Sequence, residues 1–168
     1  PVLVGSAWDE ILRIIPTRNA LWVLKGEGVW RVTGTAGQFE VQAFDPTCRI
    51  ISRRSAVPLD NQVYAWSDQG VVRISETGVE LLSTPIEQDL RERIAGAVDA
   101  FAAGSDQRHK YFLWPAVGPD YAYVFDSTTN AWTKRKHVAV SGANVKADDG
   151  TLLMGGASGT IYSERVLA

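Results

Sequence analysis

One hairpin is written twice in this chain. The stretch NALWVLKGEGVWRVTG, from Asn19 to Gly34, returns as NQVYAWSDQGVVRIS, from Asn61 to Ser75, in register and without a gap. Leu21 falls on Val63, Trp22 on Tyr64, Gly28 on Gly70, Val29 on Val71, Arg31 on Arg73 and Val32 on Ile74. Each copy reads as strand, turn, strand. Val, Ile, Trp and Tyr suit a pleated, half-buried surface. The glycine that ends KGEG and SDQG accepts positive φ without a Cβ clash. A fainter copy, GTLLMGGASGTIYSE, places Gly159 where Gly28 and Gly70 fall, about three steps of 44 residues after Gly28. The step between falls on YFLWPAVGPDYAYVFDSTTNAWTKR. Here Tyr111–Trp114, Tyr121–Phe125 and Ala131–Arg135 read as strands around a Pro/Gly turn and a polar turn. In the polar turn Asp126 is placed to accept backbone amides, Asn130 to take the left-handed conformation, and Trp132 to open the outer strand.

A period of 40 to 50 residues with several short strands per unit is the signature of a β-propeller blade. A single blade leaves apolar faces bare, so blades stack face to face, and six tryptophans are wide enough to fill the wedges between twisted sheets. The expectation is an all-β fold with one inserted helix: a partial propeller of about three to four blades, residues 1–168 forming one domain or fragment. A β-sandwich with two accidentally similar hairpins is the alternative. With 168 residues, 45% of them hydrophobic, a core forms without a metal or disulfide staple. Cys48, the only cysteine, excludes an internal disulfide and a cysteine zinc cluster. No apolar run is long enough to span a bilayer, so this segment is not expected to insert in a membrane. The chain starts at Pro1 and its only methionine is Met154, which suggests a piece of a longer or processed polypeptide.

The helix is expected within TPIEQDLRERIAGAVDAFAAG. Thr84 as N-cap, Pro85 at the first position and Glu87 at the third form a capping box. Ile86, Leu90, Ile94, Ala97 and Phe101 share a face, Gly104 is a stop, and the insertion spans about residues 85–103. Glu87–Arg91 and Asp89–Arg93 are spaced to pair on the wet face.

Catalytic, cofactor and metal residues are all read as none. His109 and His137 lack metal-ligand spacing and read as solvated loop residues. Ser141-Gly142 follows a strand without a marked base, and no G-x-S-x-G elbow occurs. Asp9-Glu10, Asp68 and Asp148-Asp149 are the carboxylates that a glycosidase pair or a calcium loop would have to use; Asp148-Asp149-Gly150 is first a turn. The SDQG turn faintly resembles an Asp-box, and Trp66 beside it reads either as core or as an exposed sugar-stacking ring. The net charge of −2 argues against a domain that grips nucleic acid over its whole surface. Two basic clusters remain, Arg53-Arg54 and Lys134-Arg135-Lys136. Successive strand residues alternate faces, and such charges commonly protect strand edges; the functional reading is contact with phosphate or an acidic partner.

In order, LWVLKGEGVWRVTG, SRRSAVPLDNQVYAWSDQGVVRIS, STPIEQDLRERI, YFLWPA and YVFDSTTNAWTKR resemble the phage tail-nozzle propeller proteins of the tail tubular protein B type, over roughly Asn19 to Arg135. The resemblance implies a structural virion protein of a tail, made in the host bacterial cytoplasm. Its partners would be copies of itself in a ring and other tail and connector proteins. Double-stranded DNA would pass through the lumen without sequence recognition, and no catalysis is implied. Family members are longer than this chain, which implies an incomplete ring of blades. Subunit contacts are expected at Glu87, Arg91 and Arg93 on the helix and at Lys134, Arg135 and Lys136 on the basic strand. The alternatives are a propeller module that binds a carbohydrate or protein, and a propeller hydrolase.

Overall fold

The computed structural model describes residues 2–35, 37–115, 121–136, 145–146, 152–155 and 159–163. Their strands form four antiparallel sheets, and each sheet is built from strands consecutive in the chain. The first holds β1 (Ile11–Pro16), β2 (Leu21–Lys25), β3 (Gly28–Thr35) and β4 (Gln38–Asp45). The second holds β5 (Val57–Leu59), β6 (Gln62–Ser67), β7 (Gly70–Ser75) and β8 (Gly78–Leu81). The third holds β9 (Phe101–Ser105), β10 (Lys110–Trp114), β11 (Tyr121–Asp126) and β12 (Ala131–Lys136). Three strands of the fourth are described: β13 (Val145–Lys146), β14 (Leu152–Gly155) and β15 (Ile161–Ser163). First strands begin at Ile11, Val57, Phe101 and Val145, a repeat of about 44 residues. The fold is all-β with one short inserted helix, and the sheets are successive propeller-like blades.

The second strand of each blade sets the packing, because alternate residues face opposite neighbours. Trp22 and Leu24 point forward and bury against Val63, Ala65, Val72 and Ile74 of the next blade. Tyr64 and Trp66 point forward in turn, onto Tyr111, Leu113, Tyr123 and Phe125. Phe112 and Trp114 then meet Leu152 and Met154. The second and third blades thus offer two wide rings forward, and the first offers Trp22 with Leu24. The Tyr64 and Tyr111 rings stack across their junction with centroids 5.7 Å apart.

The duplicated glycines occupy like places. Gly28 and Gly70 open β3 and β7 at φ +140° and +130°. A Cβ on Gly28 would lie 2.8 Å from the Asp45 carbonyl oxygen, and one on Gly70 would lie 2.2 Å from Ser83 Oγ. Gly159 differs: it sits in the bend before β15, where pairing resumes only at Gly155–Ile161, and a Cβ there would meet nothing.

The expected helix is largely overturned. The α-helix α1 covers only Glu87–Arg91, flanked by 3-10 turns at Thr84–Ile86 and Ile94–Asp99. Phe101, Ala102 and Ala103, read as the end of the helix, belong to β9, which pairs along β10. Gly104 is therefore no helix stop but a strand residue so close to the second blade that a Cβ would lie 2.8 Å from the Pro58 carbonyl oxygen. Tertiary pairing outweighs the helical preference of an Ala-rich segment. The capping box is absent as well: the N-cap of the first turn is Ser83 and no side chain caps it. Ser83 Oγ instead accepts the Val71 amide at 2.9 Å. Of the expected apolar face, Leu90 and Ala97 are buried, Ile94 is exposed, and Phe101 packs toward the fourth blade.

Candidate assembly surface

The connector between the second and third blades carries α1 to the rim, where it meets the third blade's outer strand. This brings together residues far apart in the chain. Arg93, just past α1, donates through Nε to the Tyr123 hydroxyl at 2.9 Å and through its terminal nitrogen to the Tyr121 hydroxyl at 2.9 Å. Lys134 on β12 lies over both rings, 5.3 and 5.5 Å from their centroids, and pairs with Asp89 of α1. Trp132 Nε1 ties the same strand to the Leu82 carbonyl at 2.9 Å. Burial, reinforced by the Tyr121 hydroxyl, pushes the Tyr123 phenol up. Partial burial works against the Arg93 charge, but the two phenols outweigh it and hold that guanidinium above its ordinary value. The hydrogen bond to Asp89 raises Lys134. Lys134 over the negative faces of the two rings, with its bond to Asp89, clasps α1 to β12 at a half-exposed site.

The six expected contact residues thus divide. Arg93 and Lys134 are engaged within the chain. Glu87 and Arg91 pair with each other across one helical turn. Arg135 and Lys136 are exposed at the end of β12. The residues missed from sequence are Asp89 as partner of Lys134, and the Tyr121–Tyr123 pair. Alternation along β11 gave a signal, since residues two apart on a strand share a face.

Other sequence candidates fall elsewhere. Trp66 is buried at 1% exposure, so it is a core ring and not a sugar platform. The SDQG turn closes on itself, Ser67 Oγ donating to the Gly70 carbonyl at 2.9 Å. Asp9 faces the buried Lys25 at 3.7 Å. His109 sits at positive φ, its Nδ1 2.7 Å from Asp60 Oδ1, and Ser127 Oγ donates to the other Asp60 oxygen at 2.8 Å. This clasps the second blade to the third. Asp126 Oδ1 accepts the amides of Thr128 and Thr129 at 3.0 and 3.2 Å, and Asn130 has φ +52°. Arg53 and Arg54 line an inter-blade cleft of about 530 Å³ with Glu10, Leu12, Val98 and Asp99. Arg54 donates to the Asp99 carbonyl at 2.8 Å. His137, Ser141-Gly142 and Asp148-Asp149 lie outside the described residues. Among those described, no group of three or more His, Cys, Asp or Glu converges, and no helix is long and apolar enough to cross a membrane.

The SRRSAV segment has a distinct task. Ser52 Oγ lies within hydrogen-bond reach of the Val98 and Ala100 carbonyls, at 3.2 and 2.7 Å. Ser55 Oγ donates to the Ser52 carbonyl at 2.7 Å and accepts the Trp66 amide at 2.9 Å. The Tyr111 hydroxyl donates to the Ser55 carbonyl at 2.9 Å. Burial pushes that phenol up, so it stays a donor. Two small hydroxyls therefore satisfy backbone groups buried where two blades and two connectors meet.

Fold and site define an all-β protein of stacked blades with a rim clasp. No family model and no curated protein matches the sequence. Among solved structures, the extracellular domain of a one-component system from B. thetaiotaomicron superposes with a TM-score of 0.49 at 12% identity. The match covers 99% of this chain and 23% of that one.

Proposed function

We propose that the chain is a structural, non-catalytic blade array of a phage tail nozzle, part of a ring through which double-stranded DNA is held and passed without sequence recognition. One observation carries the reading: the motifs on which the resemblance rests are the ones that lock blade to blade. SRRSAV supplies Ser52 and Ser55, and YFLWP supplies Tyr111 and the forward rings Phe112 and Trp114. Copies of the chain would meet at the rim, through the exposed ends of α1 and β12. Conduction of DNA asks for a stiff wall rather than a reactive one, and a slightly acidic chain does not trap the polyanion.

The test is negative-stain microscopy of the purified natural protein, alone and with its tail and connector neighbours. Rings or nozzle-shaped particles are expected, and reversing the charges of Arg135 and Lys136 should weaken them. Strict monomers under every condition would refute the proposal.

A further inference from the structure

Three junctions of this array are built alike, and none of them covers the rearward face of the first blade. Leu21 and Val23 of the first blade hold the strand positions that Val63 and Ala65 hold in the second and Tyr111 and Leu113 in the third. Matching cross-strand pairs fix the equivalence: Leu21–Val32 and Val23–Trp30, Val63–Ile74 and Ala65–Val72, Tyr111–Phe125 and Leu113–Tyr123. In the second and third blades that rearward face lies under the rings of the blade before, and Val63, Ala65, Tyr111 and Leu113 are fully buried. On the first blade it is partly bare. Ile14 is 50% exposed, Leu21 36% and Phe39 54%. Pairing of Gly34 with Phe39 and of Val32 with Val41 places Phe39 on the same face as Leu21.

The segment before β1 supplies the second argument. In the second blade the chain arrives along the end of β6: Ile50 bridges Ser67, and the Ile51 amide donates to the Trp66 carbonyl at 3.1 Å. The first blade receives residues 2–10 in the same place. The buried Lys25 ammonium donates to the Val4 and Ser6 carbonyls at 2.9 and 2.6 Å, and Gly5 lies against Trp30. Pro16 pairs with Leu21 as Pro58 pairs with Val63. Eight residues before Pro58, Ile50 is buried between blades at 5% exposure. Eight residues before Pro16, Trp8 is 98% exposed. Residues 2–10 thus follow the course of an inter-blade connector.

We infer that the rearward face of the first blade, with Trp8, Ile14, Leu21 and Phe39, seats a preceding blade of the same polypeptide, one whose second strand presents two wide apolar side chains at alternate positions. The inference does not depend on the nozzle reading, because it concerns the packing of the array and not its task. A second copy of this chain fits less well. The fourth blade's β14 offers Leu153 and Gly155 at the positions taken by Tyr64 and Trp66 in the second blade, so among the described residues that strand presents no rings forward.

Single cysteines test it. Trp8→Cys, Leu21→Cys and the rim control Val98→Cys are labelled with a thiol reagent in the 168-residue chain and in the natural polypeptide extended upstream. Burial pushes the Cys48 thiol up to about 12, so the native cysteine stays silent. In the shorter chain all three should label fast. In the longer one, labelling at positions 8 and 21 should slow by about a hundredfold, as for sites that open only by local unfolding, while position 98 is unchanged. Equal rates in the two proteins would overturn the inference. So would protection of position 21 in the shorter chain through dimerisation, or a natural polypeptide with no residues before Pro1.

Discussion

The two matched glycines give a quantitative test of the blade register. At Gly78, φ is +150° and a Cβ would meet nothing within 4 Å, so Gly78→Ala bears only the backbone cost, about 1–2 kcal/mol. At Gly70 the φ of +130° adds a similar cost, but a Cβ would also lie 2.2 Å from Ser83 Oγ. That hydroxyl must move, and it is the acceptor for the buried Val71 amide. Losing the bond leaves a buried donor unsatisfied, about 1–3 kcal/mol more. Gly70→Ala should therefore cost about 2–5 kcal/mol in all, against about 1–2 for Gly78→Ala. In a Ser83→Ala background the hydroxyl and its bond are already gone and the nearest remaining atom is Leu81 Cδ1 at 3.0 Å, the end of a flexible side chain, so Gly70→Ala should fall back to about the backbone cost. Gly28→Ala should not be rescued this way, because its obstacle is backbone, the Asp45 carbonyl and Pro46 Cα. Urea unfolding of the four single variants and the double variant reads each free energy and the coupling. Additive costs at positions 70 and 83, or a Gly70→Ala no worse than Gly78→Ala, would refute the close-approach argument and the blade register with it.

Three other perturbations probe the remaining elements. Tyr111→Phe removes the donor to the Ser55 carbonyl at the junction of the second and third blades; it should lower stability by about 1–2 kcal/mol, read as a fall of a few degrees in the thermal midpoint. Lys25→Met removes the ammonium that holds the Val4 and Ser6 carbonyls, and limited proteolysis should then cut within residues 2–10 at least several-fold faster while the blades stay intact. Slight burial works to raise the Asp126 carboxyl, but the amides of Thr129 and Thr128 outweigh it and hold it below its ordinary value. A folded pKa below the unfolded one stabilises the protein above about pH 4, and that increment fades as pH falls through the folded value. Asp126→Asn should accordingly flatten the stability-versus-pH curve below about pH 4, by no more than about 1 kcal/mol for so exposed a group. An unchanged acid limb would disprove the assignment.

The sequence by itself determined the hairpins, their order and their period. Strand alternation and turn glycines act over a few residues, and Leu21–Val32 and Val63–Ile74 need only their own turn to find each other. It did not determine that FAAGS, Phe101–Ser105, would be strand. Those residues are helix formers in isolation and become β9 only because β10 offers an edge and the Pro58 carbonyl leaves no room for a Cβ at position 104. Nor did it determine the bonds of Ser52 to Ala100, Tyr111 to Ser55 and Arg93 to Tyr121, whose ends lie 28 to 56 residues apart along the chain. Charge spacing suggested Asp89 with Arg93, whereas the fold set Asp89 against Lys134. Local steric preference is written residue by residue. Which apolar face meets which, and which hydroxyl reaches which carbonyl, was decided only when the blades stacked, because those contacts gain free energy through burial shared by segments far apart in sequence.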